Sequence, residues 1–202
     1  MYKINMPSPG YRSIMINEEE YNNLLIAKKN FSEIYGSQES FSTLIDWMLR
    51  HSILSLNLEK GLVDYLDKLN DILSKDDEVV GAVLFGSIAK GNYNNLSDVD
   101  VLIVVDCDTH EYSKRLWEIR KKLLPMETAF VASGKYYRFS PLVLSLEDLK
   151  SFRPIYLDIA DYGVVLNEKG SSITKFLMSI SKIKHTRKLT AAGVELKWKM
   201  KP

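Results

Sequence analysis

The sequence predicts an α+β chain of two units, a strand–helix–helix unit followed by a small mixed sheet with flanking helices. Three observations carry this expectation. Two apolar runs of strand length, Val79 to Phe85 and Val101 to Val105, bracket a polar segment that ends in Ser97-Asp98-Val99-Asp100. An alternating stretch, Tyr11 to Asn17, stands ahead of two helical apolar stripes. A long amphipathic pattern, Leu54 to Leu73, joins the two halves, with one weak point at Gly61. The expected boundaries are 1–57 for the first unit, 58–78 for a connecting helix and 79–202 for the sheet unit.

In the first unit, Asn17 followed by Glu18-Glu19-Glu20 is a helix start, an N-cap side chain with acids in the first turn. Tyr21, Leu24, Leu25 and Phe31 recur at helical spacing, and the stripe breaks near Gly36-Ser37. Ser40 opens a second helix whose apolar face is Phe41, Leu44, Ile45, Met48 and Leu49. A single strand leaves its edge and half its core exposed, so a dimer is expected.

That order, with Ile14-x-Ile16, Tyr21 and Glu39-Ser40-Phe41-Ser42, resembles a ribbon-helix-helix DNA-binding domain of the antitoxin type. The resemblance implies a homodimer whose paired strands enter the major groove of double-stranded DNA. Tyr11, Ser13 and Met15 would face base edges, with Arg12 and Lys3 near the backbone and Ile14 and Ile16 in the dimer core. Residues 1–57 hold five Lys/Arg against six Asp/Glu, so dimerisation without DNA stays open beside DNA binding.

In the second unit, side chains alternate along a strand, so Asp98 and Asp100 share a face and Val99 points away. Two adjacent carboxylates repel unless a cation sits between them, and hard oxygen ligands suit Mg²⁺. The Gly86-Ser87 turn offers backbone N–H groups and a hydroxyl, the makings of a phosphate cradle. A phosphate cradle beside a Mg²⁺ site describes a nucleoside-triphosphate pocket.

Gly86-Ser87, Lys90-Gly91 and Ser97-Asp98-Val99-Asp100 leading into an apolar strand resemble the core motif of the polymerase-β-type nucleotidyltransferases. The likeness is to the minimal members in archaea and bacteria. It extends to Tyr156-Leu157-Asp158-Ile159, to Asp161 through Leu166, and to the ending Trp198-Lys199-Met200-Lys201-Pro202. It implies transfer of a nucleoside monophosphate from a triphosphate to an unidentified acceptor. Asp98 and Asp100 would be catalytic and hold Mg²⁺, with Gly86, Ser87 and Lys90 binding nucleotide.

The chain departs from that family in one respect. A third carboxylate belongs on a later strand facing the pair, yet Tyr137-Arg138-Phe139-Ser140-Pro141-Leu142-Val143 holds no acid. Glu127, beside Pro125, is expected to cap or face solvent, and Asp158 and Asp161 read as surface or helix-end acids. Asp106 lies about 20 Å from Asp100 by strand rise. The departure keeps an alternative in play: a DNA-binding regulator or antitoxin-like protein whose transferase domain only binds nucleotide or a toxin-like partner protein.

Elsewhere, Glu111 to Leu124 reads as a helix ending ahead of Pro125, Lys135 to Ser145 as a strand, and Ser145 as a helix start with Glu147-Asp148 in its first turn. At 46% hydrophobic and 26% charged residues, the composition is that of a soluble globular protein. No run approaches the roughly 18 apolar residues of a membrane span, and the start lacks the apolar core of a signal peptide. With a single Cys107, the expectation is a cytoplasmic protein without membrane contact or disulfide framework. His51, His110 and His185 have no metal-ligand spacing. Net charge is +1, but from Lys175 onward there are seven Lys and one Arg against Glu195 alone, either a solvated tail or a surface that meets phosphate.

Overall fold

The computed structural model describes residues 2–5, 13–35, 40–52, 56–190 and 193–198. The chain divides into two compact units, Met1–Arg50 and His51–Pro202.

In the first unit, β1 (Tyr2–Asn5) and β2 (Ser13–Ile16) pair antiparallel with Tyr2 opposite Ile16. The sequence reading had one strand here; the second runs along it within the same chain. α1 (Glu18–Tyr35) opens with a reciprocal capping box, in which Glu20 N donates to Asn17 Oδ1 and Asn17 N to Glu20 Oε2, each at 2.8 Å. α2 (Phe41–Arg50) is capped by Ser40, whose Oγ accepts from Thr43 N at 3.1 Å. The pair closes over buried Phe31 and Leu44, with Trp47 edge-on to Phe31. Of the residues expected to face DNA, Ser13 and Met15 stand in β2. Tyr11 and Arg12 lie outside the described residues, as does the expected break at Gly36-Ser37.

The second unit is a mixed sheet with helices on both faces. In chain order come α3 (Lys60–Ser74), β3 (Val79–Phe85), the one-turn α4 (Gly86–Ala89), β4 (Val99–Val105), α5 (Thr109–Ala132) and β5 (Phe139–Ser145). A 3-10 turn (Asp148–Lys150), α6 (Ile155–Tyr162), β6 (Val164–Glu168), α7 (Ser172–Ser181) and the hairpin β7 (His185–Thr190) and β8 (Gly193–Trp198) follow. Strand order is β5-β4-β3-β6; β4 and β5 are parallel, and the other neighbours antiparallel.

β4 is central and continuously apolar because both of its faces are covered. Val99, Val101, Ile103 and Val105 pack against α3 and α5, whereas Leu102 and Val104 pack against α6 and α7. Asp100 has the parity of the second set, so its side chain belongs to the α6–α7 side of the sheet.

Three expectations are corrected. The joining helix begins at Lys60, not Leu54; Glu59 is its extended N-cap, and Leu56 and Leu58 pack on the core from an irregular run. α5 continues through Pro125. An internal proline costs about 3 kcal/mol, but burial of Phe130 beyond it returns about 1.5–3 kcal/mol, and Glu127, also beyond it, gains two buried hydrogen bonds. At Ser145 only one 3-10 turn forms: Asp148 Oδ2 accepts from Ser145 N at 2.9 Å and Oγ at 2.7 Å, and Ser145 Oγ accepts from Asp148 N.

Candidate functional site

β3 ends at Phe85, which lies opposite Asp100 in the pairing with β4. The chain then turns at Gly86 with φ +75°, a conformation that L side chains rarely adopt. A Cβ on Gly86 would overlap Asp100 Oδ2 and stand 3.0 Å from its Cγ. Glycine is therefore required twice, for the left-handed backbone and for the space the Asp100 carboxylate fills.

Asp98 precedes β4 and is exposed, Val99 is fully buried and Asp100 is half-buried. The Asp100 carboxyl is pushed above its ordinary pKa by burial and by the charge of Asp98, against a hydrogen bond from Ser140 and the charge of Lys90. Ser140 is the β5 residue in register with Asp100. The hydroxyl of Ser97 is engaged in the preceding turn, accepting from Asn94 N at 2.9 Å.

Ser87 lies in the single turn of α4, half-buried, and its carbonyl accepts from Asn92 N. Lys90 caps that turn. Its ammonium lies 2.7 Å from Asp158 Oδ2 and 5.6 Å from the centre of the Tyr162 ring. Gly86, Ser87, Lys90, Asp98 and Asp100 therefore gather where β3 ends and β4 begins.

Two acids stand elsewhere than the sequence suggested. Glu127 is buried at 8% exposure on the α3–α5 side, where its Oε1 accepts from Tyr65 OH at 2.8 Å and Phe139 N at 3.0 Å. Burial and this bond push the Tyr65 phenol far above its ordinary range. Glu127 lost its solvent because α5 did not stop at Pro125. Asp158 is not a simple surface acid, since it holds both Lys90 and Arg187 of β7; Asp161, exposed near the end of α6 as expected, shares Arg187 with it. Burial pushes the Asp158 carboxyl up, but hydrogen bonds from Lys90 and Arg187 outweigh it and hold the group below its ordinary range.

Ser140, Asp158 and Arg187 were missed as site neighbours. A signal for Arg187 existed, because Lys184, Thr186 and Lys188 alternate with His185 and Arg187 at period two. The first set is exposed and the second turned inward.

Among the described residues, no group of three or more His, Cys, Asp or Glu side chains is assembled to hold a metal ion. Two carboxylates and a hydroxyl are hard oxygen donors, too few for an all-protein cage. They fit a hard cation that brings further ligands on a triphosphate, as Mg²⁺ does.

No curated protein matches the chain. A solved toxin–antitoxin structure with AMP-PNP is 18% identical over 60% of this chain and 84% of the other, with a TM-score of 0.38. A mutant of the toxin–antitoxin pair MntA–HpeT gives 18% identity over 61% and 84%, with a TM-score of 0.37. Residues 66–143, from within α3 to within β5, match the family model of the nucleotidyltransferase domain.

Proposed function

We propose that the sheet unit binds a nucleoside triphosphate with Mg²⁺ and transfers its nucleoside monophosphate to an acceptor hydroxyl. One observation carries this reading within the matched domain: Gly86 leaves a space that the Asp100 carboxylate fills, beside Asp98. Asp98 and Asp100 hold the ion; backbone N–H groups of the Gly86-Ser87 turn and the Ser87 hydroxyl orient the phosphates; Lys90 adds positive charge. When bound, Mg²⁺ neutralises charge on the phosphates. The acceptor oxygen bonds to the α-phosphorus in line with the departing pyrophosphate, whose bond to that phosphorus breaks as it leaves with the electron pair, and the hydroxyl proton passes to water.

Ser140 favours a second reading, in which nucleotide is bound as a signal and not transferred, because no acid faces Asp100 from β5 to receive the hydroxyl proton. For the first unit we propose a ribbon-helix-helix homodimer that binds double-stranded DNA, with the succession of β2, α1 and α2 as its support and β1 paired along β2 within the chain. In the second reading the sheet unit binds nucleotide or a toxin-like partner protein. Sedimentation, followed by a DNA shift assay over the chain's own upstream region, tests the first-unit proposal; a monomer that shifts no DNA overturns it.

The test of the site is calorimetry with each ribonucleoside triphosphate and Mg²⁺. Binding by the wild type that vanishes in Asp98→Ala/Asp100→Ala is the expected result. A folded wild type that binds none of the four overturns the reading.

A further inference from the structure

Arg187 lies in β7, far along the chain from the glycine–serine turn, yet its guanidinium is tied to the residue that holds Lys90. Its Nη1 donates to Asp158 Oδ1, while Nε and Nη2 donate to Asp161 Oδ2 at 3.1 and 2.7 Å. Nη2 also donates to Leu157 O at 3.2 Å, and the group stacks 5.0 Å from the centre of the Tyr162 ring. His185 Nε2 lies 2.9 Å from the same Asp161 oxygen. The side chains are shielded: Lys90 is 29% exposed, Asp158 18% and Arg187 21%.

Donor counting separates the roles of the two cations. A guanidinium has five N–H donors in a fixed fork, and an ammonium has three. Four of the five on Arg187 are engaged by Asp158, Asp161 and Leu157. Lys90 donates to Asp158 and keeps donors for an incoming oxygen. A lysine on a flexible four-carbon stem loses its aim unless its carboxylate partner is itself fixed. Asp158 is fixed because its other oxygen is held by Arg187.

We infer that Arg187 is a positioning residue of the nucleotide site, anchoring Asp158 so that Lys90 is held at the phosphate end of the bound nucleotide. The inference rests on the nucleotide-binding reading above. Lys90 then meets the β- and γ-phosphates, so the anchor affects a triphosphate and leaves the corresponding monophosphate alone. A bidentate, stacked arginine is not replaced by a lysine, which presents a single point charge.

The experiment is calorimetry of the full chain with Mg²⁺, using the triphosphate that binds most tightly and its own monophosphate. Arg187→Ala, Arg187→Lys and Asp158→Asn are each expected to weaken triphosphate binding about 10-fold, the usual range for a lost charge-assisted contact. Monophosphate affinity is expected to hold within twofold. Lys188→Ala, one residue along and on the exposed face, keeps both affinities. A merely structural loss would move both nucleotides together, and that result overturns the inference. So does unchanged or tighter triphosphate binding in Arg187→Ala and Asp158→Asn. Should Arg187→Ala fail to fold, the near-isosteric Asp158→Asn decides alone. A wild type that binds no triphosphate overturns the site reading itself, and the inference falls with it.

Discussion

Two acids flank the start of β5 and have opposite fates. Glu127 lies on the α3–α5 side, buried, with one oxygen accepting from both Tyr65 OH and Phe139 N. Asp100 lies on the α6–α7 side, opposite Ser140, the next residue along the strand. Its burial and its neighbour Asp98 make its charge costly when no cation is present. The first acid closes a core; the second leaves a demand that a ligand can meet. Sheet parity thus separates a carboxylate closed into a core from one left open to a ligand across adjacent strand positions.

The largest effect belongs to the closed side. Glu127→Ala strands two buried donors and opens a cavity, so it is expected to cost about 3 kcal/mol in denaturant unfolding. Glu127→Gln keeps an accepting oxygen and is expected to cost about 1 kcal/mol. Equal costs for the two would erase the distinction drawn here.

On the open side the signs reverse. Asp100→Asn is expected to weaken Mg²⁺–nucleotide binding at least about 100-fold, or about 2.7 kcal/mol, while raising the melting temperature of the free protein at pH 7. Because the folded protein binds the Asp100 proton more tightly than the unfolded chain does, the wild type loses stability as pH rises through the carboxylate range. The advantage of Asn should therefore fade below about pH 3.9, the ordinary aspartate value. A melting difference that ignores pH would show that Asp100 is not under strain.

Gly86→Ala should show both behaviours at once. The left-handed backbone alone costs about 1–2 kcal/mol, and the added methyl must displace the Asp100 carboxylate, so stability and nucleotide binding fall together. The smallest expected effect is the most diagnostic. Ser140→Asp places a third carboxylate beside Asp100 and should cost the free protein about 1 kcal/mol at neutral pH. It should also tighten Mg²⁺-dependent nucleotide binding, read by titrating Mg²⁺ at fixed nucleotide. Weaker binding would mean that the β5 position does not face the ion.

Legibility followed distance along the chain. The glycine turn, the carboxylate pair and the flanking strands lie within 79–105, where alternation and turn chemistry are local properties that a sequence displays directly. The α1 start at Asn17 was readable for the same reason, since a capping box spans four residues. What could not be read depended on tertiary competition. Pro125 argues for a helix end by local rules, and only the burial of Glu127 and Phe130 overrides it. Asp158 and Asp161 look like ordinary helix acids until β7 folds back to present Arg187.

The Arg187 anchor has a consequence for biosynthesis. It stands about 90 residues downstream of Asp100, so at about 5–20 residues per second the ribosome delivers it roughly 4–18 s after the carboxylate pair. During that interval the emerging chain carries the motif without the clamp that steadies its lysine. A transcript truncated before β7 would encode a sheet with both aspartates and an unaimed cation.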